Sequence, residues 1–238
     1  MSTDIAKVGD AGKDVRPFAR IERAQGPLAS EVYERVVDGL LEGRLRPGDR
    51  LILDRLAEEL DVSRTPIRDA LLRLREEGVI EAVGRRGYVV ASLGKSEIEQ
   101  LYEARNAIEG FAAAALAAGD PARVELLRDA LEQAAGSPMR TARESFLANR
   151  SFHRAVVAAL GNPHLLVFFD AIWGRAVAGW AYHEFFTASP YGEFRKDHEE
   201  LIAEIFAGDP ERAREAMTAH IAAGLAATFG SEKADAGP

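Results

Sequence analysis

The stretch "VSRTPIRDALLRL", residues 62–74, decides how the first part of the chain folds. Its apolar residues recur at helical spacing and predict one buried face: Ile67, Ala70, Leu71 and Leu74. Ser63 is placed to act as N-cap, and Pro66 is tolerated in the first turn because its missing N–H would have no partner within the helix. We therefore expect a short helix with a firmly fixed start.

Arginines occupy a second face of this helix. At 3.6 residues per turn, Arg64, Arg68 and Arg75 lie within about 40° of one another. The chain as a whole has a formal net charge of -8, so this face is a local exception in an acidic protein. Arginines at the start of a helix can bind phosphates or the edges of bases. The face is predicted to bind DNA, and the alternative is a solvated helix surface without a partner.

The segments on either side of this helix complete a known plan. Residues 28–45 and 53–60 have helical spacing, while the β-branched runs "VIEAV" and "YVVAS" flank the glycine-bounded tip "GRRG". Three helices followed by a β-hairpin form a winged helix-turn-helix, in which one helix enters the major groove and the hairpin contacts the flank. Arg85, Arg86 and Gly87 would then lie at the tip of the wing.

The remainder of the chain is predicted to be helical throughout. Ser96 and Glu99 have the spacing of a capping box, which predicts a helix start. Five junctions that suit helix ends and N-caps follow it: "GDP" at 119–121, "SP" at 137–138, "GNP" at 161–163, "SP" at 189–190 and "GDP" at 208–210. The predicted fold is therefore mostly α, an N-terminal winged helix-turn-helix with a small β-hairpin wing and a C-terminal all-α six-helix bundle.

Length and composition set the expected domain limits. A chain of 238 residues suits two domains. The expected parts are a flexible arm at 1–26, the winged domain at 27–92, a linker at 93–96, the helical domain at 97–230 and a flexible tail at 231–238. No apolar run approaches the length of a membrane span and the N-terminus lacks an apolar leader, so we expect a cytoplasmic protein without a membrane partner.

Three histidines of the helical domain are predicted to meet. Asn149 and His153 are spaced i, i+4, so both side chains can reach one ion. His198 and His220 each lie on an inward apolar stripe of a separate helix. Because the chain has no cysteine, any metal must be held by nitrogen and oxygen. We expect these four residues to bind a divalent metal, with a metal-free polar pocket as the alternative.

Arg105 is the candidate contact for an acidic ligand in the same pocket. A guanidinium binds a carboxylate through two parallel hydrogen bonds. The alternative is a salt bridge within the helix to Glu109, four residues later, and the spacing favours neither. Asn149 is the second candidate contact of this ligand.

Extended motifs add a family resemblance to these predictions. The segment "EGRLRPGDRL…LAEELDVSRTPIRDALLRLREEGVIEAVGRRGYVV" resembles the GntR family of bacterial transcription regulators over about residues 30–91. The resemblance implies that four residues of the opening stretch contact operator DNA. It also implies that the wing at 84–87 lies at the minor groove. Those four residues are Ser63, Arg64, Thr65 and Arg68.

Residues 97–230 resemble the effector-binding FCD domain of the FadR-type subfamily, through "LYEARNAIEGFAAAALAA", "NRSFHRAVVAALGNPHL", "DHEELIAEIFAGDPERA" and "MTAHI". Six helices would place it in the VanR-like branch. The resemblance implies a Zn²⁺ or Ni²⁺ site of one Asp and three His, in which Asn149 stands at the Asp position.

Together these features predict a regulator and not an enzyme. Two copies of one reading helix require a two-fold related site, so we expect a homodimer on palindromic double-stranded operator DNA. The family resemblance implies a repressor whose helical domain senses a small carboxylate-bearing metabolite. The alternative is a metal-dependent hydrolase-like helical domain fused to a DNA-binding module, because three histidines can activate water.

Overall fold

The structure of the protein is a computed structural model that describes four stretches of the chain: residues 27–84, 87–92, 94–188 and 193–230. The predicted arm at 1–26 and tail at 231–238 lie outside the described residues, as do Arg85 and Arg86 of the predicted wing tip. Within the four stretches, no helix is both long enough and apolar enough to cross a membrane.

The N-terminal part is a winged helix-turn-helix, as predicted. Its helices are α1 (Pro27–Leu41), α2 (Leu53–Glu59) and α3 (Arg64–Glu76), and its strands are β1 (Arg50–Ile52), β2 (Ile80–Val83) and β3 (Gly87–Val90). The antiparallel sheet has the order β1-β3-β2, so the hairpin has a third strand that was not predicted. Strand β1 joins the sheet because Asp49 O accepts from Val90 N and Gly48 N donates back to Val90 O, at 2.9 Å each.

Helix α3 buries the face that the opening stretch predicts. Its four predicted inward residues are at most 2% exposed: Ile67, Ala70, Leu71 and Leu74. They pack chiefly against α1, whose Val32, Val36 and Leu40 are also buried. Ser63 has the extended backbone of an N-cap, but its side chain accepts no capping hydrogen bond within the described residues. The start of α3 is therefore held by packing of the apolar face.

The C-terminal part is all-α. Its helices are α4 (Lys95–Ala117), α5 (Pro121–Ala135), α6 (Ala142–Ala158), α7 (Pro163–Trp173), α8 (Ala176–Ala188), α9 (Phe194–Phe206) and α10 (Pro210–Gly230). The predicted count of six is wrong, because the described residues form seven helices here, and the assignment to a six-helix branch loses its basis.

The additional break lies at Gly174. A Cβ at this position would lie 2.6 Å from Asp170 O, so only glycine fits at the C-terminal end of α7 without a shift of the backbone. No proline or local capping side chain marks the start of α8. Its first amide, at Ala176, donates instead to Tyr33 and Glu77 of the N-terminal part. Gly174 is therefore the one local signal of this break among the described residues, and it lacks the following proline of the other junctions.

Three of the five predicted junctions cap a helix as expected. Asp120, Asn162 and Asp209 accept hydrogen bonds from the backbone amides two residues further on. At the junction 137–138, the cap is not the predicted one: α6 starts after Thr141, whose hydroxyl accepts from Glu144 N. The fifth, at 189–190, lies outside the described residues.

The predicted capping box of Ser96 and Glu99 is wrong. Helix α4 begins at Lys95, within the predicted linker, and Glu97 accepts from Gly94 N at 2.7 Å. One half of a capping box is thus formed two residues earlier, where the Glu97 carboxylate accepts from the Gly94 amide before the first turn, and glycine has no side chain to supply the other half.

Candidate functional site

The candidate DNA-binding residues form the solvent face of α3. Ser63, Arg64, Thr65 and Arg68 are all exposed, and Arg75 lies on the same side. Gly87, at the start of β3, is half-buried. The structure thus brings the predicted residues of the opening stretch onto one accessible surface.

Arg64 has a partner that was not expected. Its Nε lies 2.9 Å from Asp54 Oδ1 at the start of α2, and both side chains remain largely exposed. This contact uses the Nε edge of the guanidinium. An acidic side chain therefore stands beside the basic face and restricts the orientation of Arg64.

The three predicted histidines meet in the core of the helical part. His153 from α6, His198 from α9 and His220 from α10 place their ligand atoms within 4.8 Å of one another. The Nε2 atom of His153 lies 3.4 Å from that of His198 and 3.2 Å from that of His220. Helix packing alone produces this convergence, since the residues are separated by 45 and 67 positions from His153.

The partners of the Nδ1 atoms determine whether the Nε2 atoms of His153 and His198 carry a proton or a lone pair. His198 Nδ1 lies 2.6 Å from Phe194 O, which can only accept, so this nitrogen carries the proton. His153 Nδ1 lies 2.6 Å from the Glu109 carboxylate. In the neutral rings both Nε2 atoms are therefore acceptors, and two acceptors facing each other cannot form a hydrogen bond. A cation between them would satisfy both lone pairs, so the residues present fit a metal.

Burial keeps the cluster in the form that binds metals. It lowers the pKa of His198 well below the usual 6.5, with a further contribution from His153. Burial, followed by the effect of His153, lowers the pKa of His220 to about 3. Both rings are then neutral at pH 7, which metal ligation requires.

Glu109 is the residue of this site whose role the sequence reasoning missed. It is fully buried, and its Oε1 accepts from Arg105 Nε at 3.1 Å and from Trp173 Nε1 at 2.9 Å. Burial alone would raise the pKa of Glu109, but Arg105 and then His153 outweigh it and lower the pKa to about 2. The carboxylate is thus ionised and orients His153 from behind.

A signal for Glu109 was present in the sequence. It stands on a helical stripe of α4 whose other members are buried: Tyr102, Arg105, Ala112, Ala113 and Leu116. A carboxylate on such a stripe must have buried partners. Its spacing from Arg105 indicated only the first of them.

His198 and His220 border a cavity of about 830 Å³ that is lined by residues of α4, α6, α8, α9 and α10. Both candidate effector residues, Arg105 and Asn149, line it together with His198 and His220. Ser145 also lines it, and its hydroxyl lies 3.0 Å from the Tyr182 hydroxyl. The cavity lining therefore combines cationic, amide and hydroxyl groups with three carboxylates, those of Asp197, Glu200 and Glu204.

Arg105 forms the salt bridge to Glu109 that was one of its two predicted alternatives, and its contact with an acidic ligand stays a prediction. Its Nε binds Glu109, and its guanidinium carbon lies 4.2 Å from the Trp173 ring centroid and 4.8 Å from that of Tyr102. Among the described residues, its two terminal nitrogens have no hydrogen-bond partner. The salt bridge fixes the side chain and leaves a planar pair of donors toward the cavity.

Known proteins resemble the chain along most of its length. Residues 28–90 match the bacterial regulatory proteins of the gntR family, and residues 100–223 match the FCD domain. The "Probable D-xylose utilization operon transcriptional repressor" of Paenarthrobacter nicotinovorans is 30% identical over 84% of this chain and 88% of its own length. The regulator McbR of Escherichia coli is 28% identical over 80% of this chain and 87% of its own.

Solved structures agree with these matches. The structure of E. coli McbR/YncC has a TM-score of 0.65 and 25% identity, and it covers 87% of this chain and 99% of its own. Since the family and these relatives are transcriptional regulators, the prediction of a non-enzyme is confirmed and the hydrolase alternative is set aside. The chain belongs to the GntR family of bacterial transcriptional regulators, with a DNA-binding winged helix-turn-helix and an FCD effector domain.

Proposed function

We propose that the protein is a ligand-responsive repressor whose FCD cavity senses a small organic acid with the help of a bound divalent metal. The observation that carries this proposal is the convergence of three imidazole Nε2 atoms beside the free donor pair of Arg105. The relative from P. nicotinovorans is named as a transcriptional repressor, which supports the direction of control.

The metal would be Zn²⁺ or Ni²⁺, held by His153, His198 and His220 with Asn149 as a fourth, neutral donor. When bound, the ion would supply positive charge and a coordination position for an oxygen ligand. None of the four donors carries a charge, and the buried carboxylate of Glu109 stands behind His153. The two positive charges of the ion would attract an anionic ligand beside Arg105, in a cavity that is also lined by the acidic residues Asp197, Glu200 and Glu204.

The organic acid would bind its carboxylate to the terminal nitrogens of Arg105 near this ion. Asn149 lines the same cavity and can contact the ligand through its amide. A volume of about 830 Å³ suits a small metabolite with room for ordered water.

DNA would be read by a homodimer on a palindromic operator, with one α3 in each half-site. Ser63, Arg64, Thr65 and Arg68 would contact the major groove. Arg85, Arg86 and Gly87 would contact the flank through the wing. In this proposal the DNA-binding domain spans residues 27–92 and the effector-binding domain spans residues 97–230.

The test compares DNA affinity in three forms of the full-length protein: metal-stripped, Zn²⁺-loaded, and Zn²⁺-loaded with a panel of mono- and dicarboxylates. Fluorescence anisotropy uses double-stranded DNA that the protein itself selects from a random pool. We expect at least one acid to change the dissociation constant by about fivefold or more, the usual size of allosteric coupling.

Matched variants assign the effect to the site. His198→Ala should abolish Zn²⁺ binding, whereas His164→Ala, at an exposed position, should retain it. An identical DNA affinity in every form, together with equal Zn²⁺ binding by both variants, would contradict the proposal.

A further inference from the structure

Helix α8 of the FCD domain starts on side chains of the DNA-binding domain. The Ala176 amide donates to Tyr33 Oη at 2.9 Å and to Glu77 Oε2 at 2.8 Å. The preceding residue, Arg175, has no side-chain oxygen that could accept this bond. The helix thus takes its N-terminal partners from residues 143 and 99 positions earlier in the chain.

The same two residues hold the C-terminal end of the reading helix. Glu77 is the C-cap of α3, and its Oε1 accepts from Arg73 Nε at 3.2 Å. The Tyr33 hydroxyl lies 2.8 Å from Glu77 Oε2 and 3.1 Å from Gly174 O, and the Arg73 guanidinium lies 3.6 Å from the Tyr33 ring centroid. We call Tyr33, Arg73, Glu77 and the Ala176 amide the interdomain latch.

Charge and burial make this contact selective for one arrangement. The Glu77 side chain is 11% exposed, so its carboxylate depends on these donors and little on water. A carboxylate is also favoured beside the positive end of a helix dipole, which the start of α8 provides. Hydrogen bonds of this length weaken steeply when their atoms separate, so a small shift of α3 relative to α8 would open the latch.

On its other side the latch lies next to the histidine cluster, because Trp173, three residues before Ala176, contacts both Glu109 and His153. Trp173 precedes Gly174, and its indole donates to Glu109 at 2.9 Å. The Trp173 ring also stacks on His153, with centroids 5.5 Å apart. Contacts therefore run without a gap from His153 through Glu109 and Trp173 to the α7–α8 junction.

We propose that Tyr33 and Glu77 are positioning residues that couple the orientation of α3 to the α7–α8 junction and hence to the wall of the FCD cavity. The role of this coupling in ligand sensing rests on the proposed function. The coupling between α3 and α8 itself does not depend on a ligand. Because coupling free energies are reciprocal, a latch that couples α3 to α8 predicts that DNA binding changes the stability of the contacts at Ala176.

Hydrogen–deuterium exchange of the full-length protein tests this directly. Peptides that span residues 174–182 are followed with and without saturating double-stranded DNA selected by the protein from a random pool. In the unmodified protein we expect DNA to change the exchange of these peptides about fivefold or more. Peptides from α5, which packs on α4, α6 and α9, serve as the internal reference.

Two variants and a control separate coupling from general stabilisation. Tyr33→Phe keeps the ring under Arg73 and removes only the hydroxyl, while Glu77→Ala removes the carboxylate. Both should lose the DNA-dependent change, and Glu76→Ala, at an exposed neighbouring position, should keep it.

An unchanged exchange rate at 174–182 in the unmodified protein overturns the latch, and so does a change that persists in both latch variants. The first outcome needs no variant, so a folding defect cannot hide it. Failure of the sensing proposal is seen separately, as absence of Zn²⁺ binding, and it leaves the exchange result standing.

Discussion

The reading face of α3 and the histidine cluster of the FCD domain use polar side chains in opposite ways. On this face Arg64, Arg68 and Arg75 are exposed, and Arg64 makes an exposed ion pair with Asp54. In the cluster, Glu109 and His153 are fully buried and each depends on the other. Exposed groups act nearly independently, so their substitution should affect binding alone. Buried groups act as a unit, so their substitution should affect stability and binding together.

The largest effect is expected at Glu109. Glu109→Ala leaves Arg105 buried without its carboxylate, which should lower the free energy of unfolding by about 3–5 kcal/mol. Urea denaturation of the metal-free protein measures this value. Glu103→Ala, an exposed position on the same helix, should change it by less than about 0.5 kcal/mol. Equal effects of the two substitutions would remove the distinction between buried and exposed groups.

Acid should destabilise the metal-free protein through the same cluster. His198 and His220 have pKa values below 6.5 in the folded state, so below that pH the unfolded chain binds more protons. Stability is therefore present above pH 6.5 and falls as the pH decreases, with a slope of up to about 1.4 kcal/mol per pH unit for each histidine. Glu109, with a pKa of about 2, adds a further loss below pH 4.5.

Urea midpoints measured between pH 8 and pH 5 test this dependence. The double variant His198→Gln, His220→Gln should show a flatter profile, whereas His164→Gln should follow the unmodified protein. A profile that is identical in all three proteins would show that the two buried rings do not control acid stability.

A substitution on the reading face should act on DNA alone. Arg68→Ala should weaken binding of the selected DNA by about 1–3 kcal/mol and relax its specificity, if Arg68 contacts a base through two hydrogen bonds. Anisotropy titrations at several salt concentrations measure both effects, with Arg128→Ala on α5 as the control. Unfolding should remain unchanged. Unaltered affinity and specificity would show that Arg68 is not one of the residues that contact bases.

The smallest effect is expected at Asp54, because an exposed ion pair contributes about 1 kcal/mol or less. Asp54→Asn removes a negative charge beside Arg64, so it should strengthen non-specific DNA binding and reduce discrimination between sequences. Competition titrations with random DNA measure this ratio, and Glu58→Gln on the same helix is the control. A ratio equal to that of the control would show that Asp54 does not orient Arg64.

The comparison also explains which features the sequence could predict. The buried and exposed faces of α3 follow from spacing within one helix, and the caps at Asp120, Asn162 and Asp209 accept from amides two residues away. Such local patterns can be interpreted before the fold is known. The convergence of three histidines was also predictable, because each lies on the inward stripe of its own helix.

The features that were missed depend on distant partners. The break before α8 is capped by Tyr33 and Glu77 of another domain, and Glu109 meets His153 only because α4 packs on α6. Strand β1 has three residues and is defined by pairing with β3, whose paired residues lie 35 or more positions later. No periodicity within a single segment can show these contacts.

Anomalous diffraction from crystals of the protein loaded with Zn²⁺ tests the central claim most directly. A buried cluster built to hold a cation predicts one strong peak at the zinc edge, about 2.0–2.1 Å from Nε2 of His153, His198 and His220. A peak at other residues, or none at these three nitrogens, would contradict the account.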